Sequence, residues 1–174
     1  MTVSLLVGTV RTLAQFMDNP GEILTVMNIR MLARSGGGFT TCLVLRIDPE
    51  GTMKIANAGH IAPFLNGEEL TLQNGLPLGL SVDSTYTEST FHLNLGEQLT
   101  LLTDGVVEAR CESDELYGFE RTAAIARSKA ETIARTAQQF GQEDDITVLT
   151  VTRKRTERSL IAQAPTSALS TDLA

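Results

Sequence analysis

The chain contains no tryptophan among its 174 residues, and aromatic residues make up only 5% of it. Because grooves that stack bases are built from aromatic side chains, this composition argues against a site for bases or sugars. Cations are also scarce, with 14 lysines and arginines against 21 acidic residues and a formal net charge of −7. Binding to a phosphate backbone needs clustered lysine and arginine, so we expect no nucleic-acid partner.

Long apolar runs and cysteines are scarce as well. No apolar run approaches the roughly 18 residues that would cross a bilayer, so we expect no membrane segment. The short apolar stretch at 1–10 has neither the basic flank nor the cleavage site of a secretion signal. The two cysteines, Cys42 and Cys111, do not have the spacing of metal ligands. These features are typical of a protein in the reducing cytoplasm.

The remaining composition is that of one ordinary globular domain, with 42% hydrophobic and 20% charged residues. Apolar periodicity, with Asn19-Pro20 as a start signal, predicts helices at 1–16, 20–34 and 119–140. Alternating segments between turn signals, among them Asn66-Gly67, predict strands at 39–47, 53–57, 62–65, 69–72, 86–93, 98–103 and 146–152. Helices, then antiparallel strands, then helix and strand predict an α+β fold over 1–153. The polar segment 154–174 is predicted to be a surface tail.

Two acidic loops are the residues most suited to chemistry. Asp104-Gly105 ends the apolar strand pattern, and Asp144-Asp145 leads into the closing strand. A carboxylate at a strand end is held by the sheet yet faces its rim, and glycine lets the backbone turn and approach a ligand. Carboxylate oxygens without histidine or cysteine partners suit hard ions such as Mg²⁺ or Mn²⁺. Taken singly, each loop also fits an ordinary solvated turn, so spacing alone leaves both interpretations open.

Several motifs, read in order, resemble the SpoIIE-like branch of the metal-dependent protein phosphatases, the PPM or protein phosphatase 2C superfamily. The resemblance covers about residues 1–153, and the ordered set is specific although no single motif is. The motifs are Asn57-Ala58-Gly59-His60, Gly75-Leu76-Pro77-Leu78-Gly79, Leu102-Thr103-Asp104-Gly105-Val106-Val107-Glu108-Ala109, Leu116-Tyr117-Gly118 and Asp144-Asp145-Ile146-Thr147-Val148.

The resemblance implies a β-sandwich of antiparallel strands flanked by helices, with two Mn²⁺ or Mg²⁺ ions at one end. The ions share a water that attacks a phosphoserine or phosphothreonine, so the metal ligands are the catalytic residues and no others are expected. By match of motif, Asp104 and Asp144 are metal ligands. Asp145 occupies a position beside the ligand where relatives carry Asp or Asn. Gly105 permits the turn.

The sequence departs from the family pattern at its start. The family begins with a Gly-Asp acidic motif, which supplies the carboxylate that bridges the two metals, and with the first strands of the sandwich. Here the helix that follows that motif is matched by 1–16, and Asp18 comes after it. We therefore expect an N-terminally truncated, partial sandwich that binds one ion or none and has little phosphatase activity by itself.

Three functional hypotheses follow from these observations. The first is a phosphatase domain whose substrate, as in the resembled branch, is a phosphorylated regulator of the anti-anti-sigma type, in bacterial stress or sporulation signalling. The second is a binding module of the same fold that holds a regulator without turning it over. The third is an inactive fragment that covers its open strand edges by forming a homodimer.

Other polar residues receive structural interpretations. For His60, a hydrogen-bonding role at a strand end is favoured over a role as ligand or acid. Glu112, Asp114 and Glu115 lack the spacing of a calcium loop and are expected to be solvated. Cys42 is expected to pack in the core. Residues 75–79 are expected to form a rigid connection between sheets.

Overall fold

The computed structural model describes residues 2–34, 37–142 and 144–155. Its helices are α1 (Thr2–Leu13), α2 (Pro20–Leu32), α3 (Asp104–Val107), α4 (Gly118–Ile125) and α5 (Ala130–Phe140). Its strands are β1 (Cys42–Ile47), β2 (Thr52–Ala58), β3 (Phe64–Leu65), β4 (Glu68–Glu69), β5 (Asn74–Gly75), β6 (Ser89–His92), β7 (Gln98–Leu102) and β8 (Val148–Thr152). Most of the predicted tail, from 156 onward, lies outside the described residues. None of the helices in the described ranges is long and apolar enough to cross a membrane.

The first sheet is built around β2. Strand β1 pairs antiparallel with it from Cys42 opposite Ala58 to Ile47 opposite Met53. The opposite edge of β2 is shared, because β6 pairs antiparallel with its first half and β5 pairs parallel with its end. Residues 48–51 form the turn between β1 and β2, and the Asp48 carboxylate accepts a hydrogen bond from the Thr52 amide at 2.7 Å.

The second sheet has the order β4-β3-β7-β8 and is antiparallel throughout. Asn66 and Gly67 join β3 to β4 with φ values of 51° and 87°. Positive φ at both positions is what a two-residue hairpin turn requires, which explains the Asn-Gly pair. The predicted hairpin is therefore confirmed, although its strands are shorter than the sequence pattern suggested.

Helices cover the outer faces of both sheets. On the first sheet, α2 packs its buried side on β1 and β2, and α1 packs against α2. On the second, α3, α4 and α5 form a core with Phe64, Leu102 and Ile133 at its centre. Between the sheets lie Met53 and Leu99, both fully buried. This arrangement confirms the predicted α+β fold of antiparallel sheets flanked by helices.

The helix predicted over 119–140 is two helices, because α4 ends at Ile125 and α5 begins at Ala130. At the break, the Ala126 carbonyl accepts hydrogen bonds from Thr100 Oγ1 at 2.7 Å and from Gln98 Nε2 at 3.2 Å. Gln98 also donates to the Ser128 carbonyl. Side chains of β7 therefore satisfy carbonyls that a continuous helix would have satisfied itself. Apolar periodicity carries no information about these distant partners.

Residues 75–79 lie along the first sheet, because the chain has already crossed from β4 to β5 before them, so the predicted connection between the sheets is not at this segment. Its start pairs with β2 as part of β5, an unpredicted parallel contact, and Leu78 then exchanges hydrogen bonds with Thr40. The fully buried Asn28 of α2 accepts a hydrogen bond from the Gly79 amide and donates one to the Ser81 carbonyl, both at 2.8 Å. The segment is thus fixed to both the sheet and the helix beside it.

Candidate metal centre

Asp104 lies where β7 gives way to α3. The strand is buried up to Leu102, and Gly105, Val106 and Val107 are buried again, so only the aspartate is exposed at the rim. Its Oδ1 accepts a hydrogen bond from the Gly105 amide at 3.1 Å. Burial of the residues on either side holds the carboxylate in a fixed place while leaving it open to a ligand.

Asp144 and Asp145 form the loop that precedes β8, and both are exposed. The Asp144 carboxylate accepts a hydrogen bond from the Asp145 amide at 2.7 Å, and Gln142 Nε2 donates to the Asp144 carbonyl at 3.0 Å. Because β8 is the antiparallel neighbour of β7, the start of β8 and the end of β7 meet at the same edge of the sheet.

Thr103 joins the two acidic loops. Its hydroxyl donates to the Asp145 carbonyl at 3.2 Å and accepts from the Thr147 amide at 2.9 Å, and its own amide donates to the Thr147 carbonyl. The sequence placed the two loops on different strands and gave no reason to single out this threonine. The structure brings the loops together, and Thr103 is the contact that does so.

Gly105 is the second reason that the loops lie so close. A β-carbon at this position would lie 2.5 Å from the Asp145 carbonyl oxygen and 3.4 Å from that of Asp144. The first separation is shorter than any side chain tolerates. Its φ is not in the positive region, so the glycine supplies space for the Asp144-Asp145 backbone rather than an unusual turn.

The donors at this edge fit a hard divalent ion in type but not in number. Asp104, Asp144 and Asp145 offer carboxylate and carbonyl oxygens, which are the ligands that Mg²⁺ and Mn²⁺ prefer. The described residues contain no cluster of three or more acidic, histidine or cysteine side chains that could together coordinate a metal ion. They therefore suit part of a coordination shell, with further ligands needed from water or another group.

His60 lies just after the end of β2 and is close enough to Asp104 for their charges to interact. Buried Asn57 fixes the turn, because its side chain accepts from the His60 amide at 2.9 Å and donates to the His60 carbonyl at 2.7 Å. The His60 Nδ1 lies 3.2 Å from Thr41 Oγ1. Burial lowers the pKa of His60, and the negative charge of Asp104 partly offsets that effect. These contacts agree with the hydrogen-bonding role predicted for His60.

The lowered pKa of His60 predicts a pH-dependent stability. As the pH falls below about 6.5, the unfolded chain binds a proton on this residue more readily than the folded chain does. The stabilisation is thus present above that pH and is lost as the pH falls through the folded-state pKa. We expect the melting temperature of His60→Gln to fall less than that of the wild type between about pH 7.5 and about pH 5.5. Equal falls for the two proteins would contradict the prediction.

A model of the family described as Stage II sporulation protein E (SpoIIE) matches residues 1–154. The chain belongs to the SpoIIE family. The resemblance inferred from the ordered motifs is therefore confirmed, and the family match spans both acidic loops.

Solved structures share the fold of this SpoIIE-family chain. The SiaA-PP2C domain of Pseudomonas aeruginosa has a TM-score of 0.69 at 20% identity, over 88% of this chain and 68% of that one. The RsbU and RsbW domains of Rv1364c from Mycobacterium tuberculosis have a TM-score of 0.68 at 20% identity, over 88% of this chain and 47% of that one. The phosphatase domain of the cell fate determinant SpoIIE from Bacillus subtilis has a TM-score of 0.57 at 19% identity, over 97% of this chain and 78% of that one. The likeness confirms a PP2C-type phosphatase fold.

One curated relative of this SpoIIE-family chain is Protein IcfG of Synechocystis sp. The two are 35% identical over 75 residues, which is 41% of this chain and 12% of IcfG. The chain thus spans about an eighth of that relative and about half of the Rv1364c structure.

Proposed function

We propose that this SpoIIE-family chain is a metal-dependent phosphoserine and phosphothreonine protein phosphatase domain that acts on a phosphorylated regulator of the anti-anti-sigma type. The observation that carries the proposal is the contact of the two acidic loops through Thr103 and Gly105. That contact brings exposed carboxylates to one edge of the sheet, and carboxylates are the type of ligand that holds Mn²⁺ or Mg²⁺. Family membership and the PP2C-type fold support a phosphatase in regulatory signalling.

Asp104 and Asp144 would hold the ion, and Asp145 lies beside them with its carbonyl already bonded to Thr103. A bound Mn²⁺ or Mg²⁺ would supply a Lewis acid for the attacking water and the phosphoryl oxygens. The chain's own contribution is to fix the position of these oxygens. Asp104 is set by the buried residues on both sides of it, and Asp144 is set by hydrogen bonds within its own loop.

A binding module of the same fold is the second candidate. It is favoured by one observation, the lack of a three-acid cluster within the described residues. A chain with few ligands would hold a phosphorylated or unphosphorylated regulator and turn it over slowly or not at all. Turnover therefore separates the two candidates.

Calorimetry with Mn²⁺ and hydrolysis of a phosphoserine protein test the proposal on the purified chain. We expect Mn²⁺ to bind at no more than one site per chain and turnover to be slow and abolished by a chelator. Turnover that a chelator leaves unchanged would contradict a metal-dependent mechanism. Tight binding of the regulator with no turnover at saturating Mn²⁺ would favour the binding module. Fast hydrolysis by this chain would contradict the expected shortage of ligands.

A further inference from the structure

A cleft of about 320 Å³ opens directly beside Asp104. Two glycines, two acidic residues and four apolar residues line it. They come from the β2–β3 connection, from α3 and its C-cap, from the segment before α4 and from the start of α4. They are Gly59, Ile61, Asp104, Val107, Glu108, Leu116, Gly118 and Phe119. A cavity of this size holds one or two side chains, and most of its wall is apolar.

The apolar wall is held open to solvent by a fixed backbone. Leu116 is 41% exposed and Phe119 is 54% exposed, whereas Tyr117 between them is buried. The Tyr117 amide donates to the Ala109 carbonyl at 2.8 Å, and Arg121 Nη1 donates to the Leu116 carbonyl at 2.8 Å. These hydrogen bonds keep the two apolar side chains at the surface. Their exposure to water is unfavourable, so a partner that covers them would gain binding free energy.

The position of the cleft requires that its partner also lie near the candidate metal centre. Asp104 belongs both to the cleft wall and to the candidate metal centre. A group seated against Leu116 and Phe119 therefore lies within a few residues, along an extended chain, of anything bound at Asp104. The partner that meets both requirements is the polypeptide that carries the phosphorylated residue.

The charge of the rim adds a second requirement. Asp104 and Glu108 are the charged residues that line the cleft, both are exposed, and both are acidic. An ion bound at Asp104 would neutralise one of them. Glu108 would then face the bound polypeptide and favour a lysine or arginine there over an acidic residue.

We propose that this cleft is the specificity pocket for the phosphorylated protein, taking an apolar side chain close in sequence to the phosphorylated residue while Glu108 faces a neighbouring lysine or arginine. The proposal depends on the proposed phosphatase function, since it assigns the cleft to the same substrate. It concerns recognition, however, and is measured by binding rather than by turnover.

The test is fluorescence anisotropy on the full chain with labelled phosphoserine peptides in which Leu, Ser or Asp is placed at each flanking position in turn. With the wild type, Leu at one position is expected to tighten binding by about tenfold over Ser, the value of burying one apolar side chain. In Leu116→Ser and Phe119→Ser that ratio should fall toward one. Val82→Ser removes a 74% exposed apolar side chain that does not line the cleft, so it should keep the ratio. Glu108→Gln should weaken binding of a lysine-containing peptide about twofold to fivefold, as expected for one exposed charge pair.

The outcomes are distinct. Loss of the leucine preference in both cleft variants, with folding unchanged by circular dichroism, supports the proposal. A wild type without any leucine preference, or a preference that both variants retain, overturns it. Self-association that Phe119→Ser abolishes while peptide binding stays unchanged would assign the cleft to a second copy of the chain and would also overturn it. Mn²⁺-dependent hydrolysis of p-nitrophenyl phosphate, which has no flanking side chain, tests the phosphatase function separately.

Discussion

Gly105→Ala is expected to lower the free energy of unfolding by about 1–3 kcal/mol, the usual cost of forcing extra volume into a packed position. The added carbon would lie 2.5 Å from the Asp145 carbonyl oxygen, and a backbone atom of a neighbouring loop has little freedom to move away. Relief of the clash requires the two acidic loops to separate. Mn²⁺ binding should therefore weaken together with stability, and calorimetry and urea unfolding measure the two effects.

Gly8→Ala is the matched control for this variant. Gly8 is an exposed residue within α1, and a β-carbon there would have no atom within 4 Å. Because alanine suits a helix better than glycine does, Gly8→Ala should raise stability by about 0.5–1 kcal/mol and leave Mn²⁺ binding unchanged. If Gly105→Ala were as stable as the wild type and bound Mn²⁺ equally well, neither stability nor metal binding would depend on the close contact of the acidic loops.

Asp104→Asn is expected to weaken Mn²⁺ binding by more than about tenfold, because loss of even an outer-shell partner costs roughly that much. The amide has the same shape as the carboxylate but no charge, so the hydrogen bond from the Gly105 amide can be kept. The aspartate is exposed, so the melting temperature should change little. This variant therefore tests Mn²⁺ affinity without a change in folding stability, whereas Gly105→Ala is expected to change both.

Asp83→Asn gives the corresponding control, since Asp83 is an exposed acid in the segment that leads to β6 and belongs to neither acidic loop. It changes the net charge by the same amount and should leave the Mn²⁺ affinity within error of the wild type. If both variants weakened binding equally, the effect of Asp104 would be general attraction of cations to an acidic protein. The assignment of Asp104 as a ligand would then be wrong.

Features set by local chemistry were predictable from the sequence. Asn19 caps α2, and its side chain accepts from the Gly21 and Glu22 amides, because capping depends on residues within one turn. The turn at Asn66-Gly67 depends on two residues and was equally predictable. Both acidic loops were identifiable because an apolar strand pattern stops or starts at a carboxylate.

Features set by distant partners were not predictable. The break between α4 and α5 depends on Thr100 and Gln98, which reach it from another strand. The cleft beside Asp104 depends on how Tyr117 and Arg121 hold the backbone around Leu116. No pattern in one sequence indicates which exposed apolar residues converge on a carboxylate. Spacing alone gave two separate loops, and only the resemblance to the phosphatase family joined them in one metal centre.

The hydrogen bonds of Thr103 bear on how this edge of the sheet moves. Its amide and hydroxyl bind the Thr147 carbonyl and amide, and the same hydroxyl reaches the Asp145 carbonyl. Neither loop can leave the other without breaking several of these bonds at once. The two loops should therefore open as one cooperative unit, with the amide protons of Thr103 and Thr147 exchanging with solvent at a common rate. In this respect the two acidic loops form a single cooperative unit, although they lie more than forty residues apart in the chain.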